Sequence, residues 1–153
     1  MYYQLVYRSE VADISPRNIR EILASSKSNN TVLGITGCLV VRNNFFLQIL
    51  EGERETVKDL FYTIEDDNRH EEVTILYEGD CQERIFNDWD MAFVDLGRGN
   101  DGEKLRVNRA EFDGLIISNI SDSFNFSVFW YNVQQLLIRQ GFYSPRFDKY
   151  ENP

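Results

Sequence analysis

Hydrophobic and polar residues alternate with a period of two in short stretches of the chain, as in strands that bury one face. Residues 2–9 form the first stretch, with Tyr3, Leu5 and Tyr7 on one face. Further stretches rich in β-forming residues predict strands over residues 34–41, 45–50, 73–78 and 89–94. Two asparagines within residues 42–44 tolerate the left-handed backbone of a tight turn, so the second and third strands are predicted to form a hairpin.

Two other stretches repeat apolar residues every three or four positions, as in a helix with one buried face. Ser15 suits an N-cap and Pro16 suits the first helical position, which predicts a helix over residues 16–27. A second helix is predicted over residues 54–66. The resulting order, βαββαββ, is that of a ferredoxin-like α+β fold with an added strand and a five-stranded mixed sheet.

The third predicted strand is apolar on both faces, so both sides of the sheet need cover. Its apolar residues are Phe45, Phe46, Leu47, Ile49 and Leu50. The two predicted helices cover one side. After the glycine-rich residues 97–102, apolar residues including Phe129, Trp130 and Val133 recur at helical spacing. We therefore expect a domain over residues 1–97, followed by a C-terminal helical extension over residues 98–153 that packs on the other face.

Composition narrows the classes of function. The 153 residues suffice for one domain, and 42% hydrophobic with 27% charged residues indicates a folded chain. A net charge of −9 opposes binding to nucleic acid or to anionic membranes. The N-terminus lacks a signal peptide pattern, and Cys38 and Cys81 are isolated, as in a reducing compartment. These features predict a cytoplasmic protein, and a single histidine argues against a multi-histidine metal site.

Gln48 is the most informative single position. The period of two places its amide between Phe46 and Leu50, on a face that should be buried. A buried amide needs hydrogen-bond partners, and without them it would cost about 1–3 kcal/mol. Tyr7 can supply one, because ferredoxin-like sheets pair strands 1 and 3. The pattern alone favours a Tyr–Gln hydrogen bond in the core, and the alternative is a ligand held by this pair.

Other polar positions also allow two interpretations. Asn29 and Asn30 follow the predicted first helix and are typical of a helix C-terminus and turn. Arg69 and His70 form either a solvated turn or an anion-facing pair. The sequence contains none of the glycine-rich, zinc-binding or nucleophile-elbow motifs of familiar enzymes. The residues alone therefore indicate a small α+β domain with an unusual buried Tyr–Gln pair.

Six segments in this order and spacing resemble a known family. They are Leu5-Val6-Tyr7-Arg8-Ser9, Asn29-Asn30, Gly34-Ile35-Thr36-Gly37, Phe46-Leu47-Gln48-Ile49-Leu50-Glu51-Gly52, Asp67-Asn68-Arg69-His70 and Phe86-Asn87-Asp88-Trp89-Asp90-Met91. Together they resemble the BLUF family, sensors of blue light using FAD, over about residues 1–97. The chain is similar to short BLUF proteins, in which only helices follow the domain. This resemblance implies a light sensor rather than an enzyme, with a flavin between the two helices and against the sheet.

The resemblance also implies roles for individual residues. Tyr7 would give an electron and a proton to the excited flavin, and Gln48 would rearrange its hydrogen bonds between the phenol and the flavin. Asn30 would bind the C4=O and N3–H edge of the flavin, with Asn29 nearby. Trp89 and Met91 would report the change, and the remaining implied flavin contacts, on the ribityl and phosphate side, are Arg69, His70, Asp67 and Ser26.

The resemblance further implies FAD as cofactor, with FMN as the alternative, and an output through a homo-oligomer or a light-dependent protein partner. Two positions depart from the family pattern. Val41 stands where members often have an aromatic residue, and Thr63 where some have arginine, which leaves the phosphate contacts open. Two other functions remain as alternatives: a flavin-binding redox protein without light signalling, and a cofactor-free interaction domain of ferredoxin-like fold.

Overall fold

A computed structural model describes residues 1–11, 15–42, 44–87, 90–95, 129–131 and 133–134. The strands are β1 (Tyr2–Glu10), β2 (Thr36–Arg42), β3 (Phe45–Gly52), β4 (Glu71–Cys81) and β5 (Ala92–Asp95). The helices are α1 (Pro16–Leu33) and α2 (Arg54–Glu65). The order of elements is the predicted βαββαββ, which confirms the α+β fold.

The five strands form one mixed sheet in the order β4-β1-β3-β2-β5. The pairs of β1 with β3, β1 with β4 and β2 with β3 are antiparallel, and β2 pairs with β5 in parallel. The predicted pairing of the first and third strands is confirmed, and its register sets Tyr7 opposite Gln48. Two residues far apart in sequence thus become neighbours at the centre of the sheet.

Each face of the sheet carries its own apolar core. On one face, Leu5, Tyr7, Phe46 and Leu50 pack with the helical residues Ile22, Val57 and Phe61. On the other face, Val6, Leu47 and Ile49 pack with Phe129, Trp130 and Val133, which lie in a helical part of the C-terminal region. Cover on both faces was predicted from the apolar β3 and is confirmed for these residues. The proposed boundary at residues 97 and 98 lies outside the described residues.

The first helix is longer than predicted. It continues to Leu33 instead of ending near residue 27, and Gly34, with φ of 67°, is its C-cap and donates to the carbonyl oxygen of Asn30. The polar stretch after residue 25 contains no proline or glycine before Gly34, so nothing in it ends the helix earlier. The expectation that Asn29 and Asn30 form a turn was therefore wrong, since both lie inside α1.

The fifth strand is shorter than predicted. It begins at Ala92, so Asp90 and Met91 precede it, and Trp89 lies outside the described residues. Among the helices of the described part, none has the length and apolar content to cross a membrane. The same residues contain no cluster of three or more histidine, cysteine or acidic side chains suited to a metal ion.

Candidate functional site

A cleft lies between α1 and α2, with the sheet as its floor. The residues lining it are Tyr7, Leu39, Phe46 and Gln48 from strands, Ile22, Ser25, Ser26, Asn29 and Asn30 from α1, Leu60, Thr63 and Ile64 from α2, and Asp67, Arg69 and His70 from the turn before β4. All eight residues predicted to contact a cofactor are among them. The helical contributions follow from spacing, because residues three and four apart share one face of a helix.

Tyr7 and Gln48 form the centre of the cleft floor. Both side chains are buried, and the Tyr7 hydroxyl donates a hydrogen bond to Oε1 of Gln48. At the other end of the amide, Nε2 donates to Sδ of Met91 at 3.2 Å. The predicted core Tyr–Gln hydrogen bond is therefore present, and the amide links the phenol to a methionine next to β5.

The electrostatic surroundings keep the Tyr7 phenol protonated. Burial raises the pKa of Tyr7 well above its usual value of 10.0, and the nearby Asp67 carboxylate raises it further. Tyr7 also meets Phe61 edge-on, with ring centroids 5.5 Å apart. The phenol is thus held as a hydrogen-bond donor in an apolar setting.

Asn30 connects α1 to the residues before β5. Its buried Nδ2 donates to the carbonyl oxygen of Asp90 at 2.8 Å, and the Thr31 hydroxyl donates to Oδ2 of Asp90 at the same distance. Asn29 is exposed at the rim of the cleft. Sequence reasoning missed Thr31 and Asp90, because their contact joins residues 59 positions apart and has no local signature.

Arg69 forms an ion pair with the nearby Asp67 carboxylate. Its Nε lies 3.0 Å from both carboxylate oxygens of Asp67, and Nη2 lies 2.6 Å from Oδ2. The hydrogen bond from Arg69 lowers the pKa of Asp67, and the carboxylate in turn raises the pKa of the guanidinium. An anionic group at this end of the cleft would therefore share Arg69 with Asp67.

His70 closes the same end of the cleft. Its Nδ1 lies 2.9 Å from Oγ of the buried Ser9, and its ring meets Phe46 edge-on. Burial lowers the pKa of His70 below its usual value of 6.5, the Arg69 charge lowers it further, and the Asp67 carboxylate opposes both. His70 is thus favoured in its neutral form.

The lowered pKa of His70 makes the free energy of unfolding depend on pH. Because the folded pKa of His70 is lowered, its contribution to stability is present above pH 6.5 and is lost as the pH falls towards the folded value. We expect His70→Gln to lose less stability than the wild type between about pH 8 and pH 5.5. Urea denaturation of both proteins at the two pH values measures the difference. Equal losses in the two proteins would contradict the prediction.

The donor set of the cleft suits a planar heterocycle with an amide-like edge. Apolar side chains from both helices and the sheet line its walls, and they are Ile22, Leu39, Phe46, Leu60 and Ile64. Asn29, Asn30 and Gln48 each carry an amide with two N–H donors and a carbonyl acceptor. Arg69 adds one cation at the end formed by the turn. These residues fit the chemistry of a flavin.

Comparison with known proteins also indicates a flavin-binding domain. The family model BLUF, described as sensors of blue-light using FAD, matches residues 2–92, which is more than half of the chain. Among curated proteins, photoactivated adenylate cyclase subunit beta of Euglena gracilis is 33% identical over 79 residues. That match covers 52% of the present chain and 9% of the relative, so the chain spans about a tenth of the relative's length.

Two solved structures extend the comparison. A dark-state structure of BlrB, described as a BLUF protein, is 31% identical with a TM-score of 0.61, and the match covers 80% of this chain and 96% of that one. BlrP1 of Klebsiella pneumoniae, with FMN and cyclic diGMP, is 36% identical with a TM-score of 0.59. This second match covers 63% of the present chain and 26% of BlrP1.

Proposed function

The chain belongs to the BLUF family, sensors of blue light using FAD, and we propose that it is a photoreceptor that binds flavin non-covalently in the cleft between α1 and α2. The observation that carries this proposal is the buried hydrogen bond from Tyr7 to Gln48 on the cleft floor. The amide of Gln48 contacts Met91 at its other end, so a change at the floor has a route out of the cleft.

The cleft residues divide between two parts of a flavin. Asn30 and Gln48 would bind the polar edge of the ring, with Asn29 at the rim. The remaining proposed contacts, on the ribityl and phosphate side, are Arg69, His70, Asp67 and Ser26. FAD is the cofactor that the family description names. FMN is the alternative, since one similar structure is described with FMN.

Tyr7 is suited to give up an electron and a proton together. When bound and excited by blue light, a flavin supplies a one-electron oxidant. A phenol that loses an electron becomes far more acidic than a phenol with a pKa near 10. Its proton already lies in a hydrogen bond to Oε1 of Gln48, so that oxygen is the acceptor at hand. The buried position of both groups excludes competing water.

Gln48 is suited to carry the change to Met91. In the present arrangement its N–H donates to the Met91 sulfur, and its carbonyl oxygen accepts from Tyr7. A rotated amide would present a different atom to each partner, and the tautomer would turn the oxygen from an acceptor into an O–H donor. A thioether sulfur accepts but cannot donate, so an amide oxygen turned towards Met91 makes no hydrogen bond there. Rotation therefore releases Met91. The role of Trp89 in this step stays a prediction.

The absorption spectrum before and after blue illumination tests the proposal. Protein reconstituted with FAD should be yellow, and its flavin band should move to longer wavelength in blue light and return in darkness. A yellow protein without the shift would indicate a flavin-binding redox protein instead. A colourless protein after reconstitution would indicate a cofactor-free interaction domain.

The output of the sensor is proposed to be an interaction rather than a reaction. The Euglena relative is named a cyclase subunit, and its match to this chain covers 9% of it. We therefore assign the present residues to sensing, with the change passed to a protein partner or to a second copy of the chain. Size-exclusion chromatography of the same sample in light and in darkness tests the second copy, and a mass that stays monomeric in both would exclude it.

A further inference from the structure

Glu51 is a buried acidic residue that the photochemistry above does not use. It lies on β3, three residues after Gln48, and therefore on the opposite face of the sheet. Its side chain is fully buried. A carboxylate in such a place needs several donors, because burying a charge without them is costly.

Four donors converge on the Glu51 carboxylate. Oε1 accepts from the main-chain N–H of Ile85 at 2.7 Å and from Nε2 of Gln4 at 2.9 Å. Oε2 accepts from the main-chain N–H of Phe86 at 2.8 Å and from the Thr36 hydroxyl at 3.4 Å. The two shortest bonds therefore hold the backbone of the β4–β5 connection, of which the structure describes residues 82–87 and 90–91.

The same two residues of the β4–β5 connection contact the C-terminal region. Nε2 of Gln134 donates to the carbonyl oxygen of Ile85 at 2.7 Å. The Phe86 ring meets the buried Trp130 ring edge-on, with centroids 5.7 Å apart. Ile85 and Phe86, whose main-chain N–H groups Glu51 holds, thus also contact Gln134 through the Ile85 carbonyl and Trp130 through the Phe86 ring.

The cleft holds the opposite end of the β4–β5 connection. Asn30 donates to the Asp90 carbonyl, and Gln48 donates to the Met91 sulfur. Strand β3 therefore fixes the connection twice, through Gln48 on the cleft face and through Glu51 on the other. Coupling between two sites requires an element that both of them bias, and the β4–β5 connection is contacted by the cleft and by the C-terminal residues.

We infer that Glu51 is a positioning residue that holds the β4–β5 connection in its dark arrangement, so that release of Met91 becomes a change at Trp130 and Gln134. This inference rests on the proposed photochemistry and adds the route by which it leaves the sheet. Without the Glu51 carboxylate, residues 85 and 86 leave the dark arrangement easily in darkness as well. The difference between light and dark at the C-terminal residues then shrinks.

The surroundings of Glu51 favour a role in positioning the β4–β5 connection over a role in stabilising the fold. Burial raises the pKa of Glu51, and this effect is only partly opposed by the hydrogen bonds from Phe86, Ile85 and Gln4 and by the nearby Arg84 charge. Folding thus makes the carboxyl less acidic, which at neutral pH costs stability rather than adding to it. A buried carboxyl on which four donors converge is better explained by the conformation that it specifies.

The test compares Glu51→Gln with the wild type, both full-length and reconstituted with FAD. The variant keeps the shape of the side chain but replaces one acceptor oxygen with an NH₂ group, so it can accept from only one of the Ile85 and Phe86 amides. We expect its red shift in blue light to match that of the wild type. In darkness, the Ile85 or Phe86 amide proton that has lost its acceptor should exchange about tenfold faster, measured by NMR. The light-minus-dark difference at Trp130 and Gln134 should fall by at least half.

Glu78→Gln is the matched control, since Glu78 accepts from the Tyr3 hydroxyl and lies away from the β4–β5 connection. It should behave as the wild type in all three measurements. An unchanged light-minus-dark difference in Glu51→Gln would overturn the inference. A wild-type protein with a normal red shift but no difference at residues 129–134 would also overturn it. A wild type without any red shift would instead reject the proposed function.

Gln134→Leu provides a second variant should Glu51→Gln fail to fold. It removes the hydrogen bond to Ile85 from the C-terminal side and leaves the Glu51 carboxylate in place. We expect dark exchange at Ile85 and Phe86 to stay within about twofold of the wild type, because the bonds to Glu51 remain. The light-minus-dark difference at Trp130 should fall. If that difference stays at the wild-type level, the route through Ile85 is wrong.

Discussion

Tyr7→Phe is expected to give a folded, yellow protein whose absorption no longer shifts in blue light. The substitution removes only the hydroxyl that donates to Oε1 of Gln48. Phenylalanine has no O–H, so the proton that the amide would accept is absent, and its ring is harder to oxidise than a phenol. Leaving the buried Gln48 oxygen without this donor should cost about 1–3 kcal/mol of stability. Difference spectroscopy before and after illumination measures the shift, and urea denaturation measures the stability.

Tyr3→Phe is the matched control for Tyr7→Phe. Tyr3 lies on the same strand and the same face, is buried, and donates its hydroxyl to Glu78 instead of Gln48. It should lose a comparable hydrogen bond yet keep the red shift in full. If Tyr7→Phe shifted as far as the wild type, or if both variants lost the shift, the phenol of Tyr7 would not be the donor that we propose.

The residues of the cleft floor were predictable from sequence because the alternation of side chains applies to each of the two strands that carry them. Alternation along β1 and β3 assigned Tyr7 and Gln48 to faces of the sheet, and the element order assigned the two strands to be neighbours. The structure then sets Tyr7 opposite Gln48. A shift of β3 by one residue would turn Gln48 to the opposite face of the sheet, away from Tyr7.

The end of α1 was not predictable in the same way. Residues 25–31 are mostly polar, and such a stretch predicts a loop. Their helical conformation depends instead on tertiary contacts. Asn30 and Thr31 both bond to Asp90, which lies in the connection before β5. Such contacts stabilise a helix of modest propensity, and no local pattern reports them. The resemblance implied that Asn29 and Asn30 contact a flavin, and both line the cleft, whereas the pattern alone assigned them to a turn.

Glu51 was overlooked for a related reason. In sequence it follows the mostly apolar residues 45–50 and precedes a glycine, so the pattern ends the third strand before it. Its burial depends on four donors, of which the Ile85 and Phe86 amides lie more than 30 positions away. Charged residues are seldom fully buried unless they are paired or hydrogen-bonded, so composition predicts exposure here. Only the fold brings the donors to the carboxylate.

The roles of β3 on its two faces follow from these contacts. Gln48 faces the cleft and Glu51 faces the C-terminal side, and each contacts a different part of the β4–β5 connection. In the mechanism that we propose, a light-driven change in the amide would therefore act on an element whose far end is fixed by the same strand. Small displacements would be transmitted in this setting because packed cores switch between arrangements instead of deforming continuously.

Gln48→Leu is expected to abolish the red shift as completely as Tyr7→Phe, and to leave flavin binding in place. Leucine has a similar volume but cannot accept from Tyr7 or donate to Met91, so both hydrogen bonds of the amide are lost together. The Tyr7 hydroxyl then lacks its acceptor, at a cost of about 1–3 kcal/mol that leucine burial partly offsets. Absorption spectra in darkness and in blue light measure the effect.

The contrast with Tyr7→Phe separates the two functions of the pair. Gln48→Leu retains the oxidisable phenol, so transient absorption should still detect loss of an electron from Tyr7, followed by recovery without a shifted product. Tyr7→Phe should show neither step. Gln82→Leu, the same substitution at an exposed glutamine, should behave as the wild type. A shifted product in Gln48→Leu would mean that the change in absorption does not depend on the amide, and the proposed switch would have to lie elsewhere in the cleft.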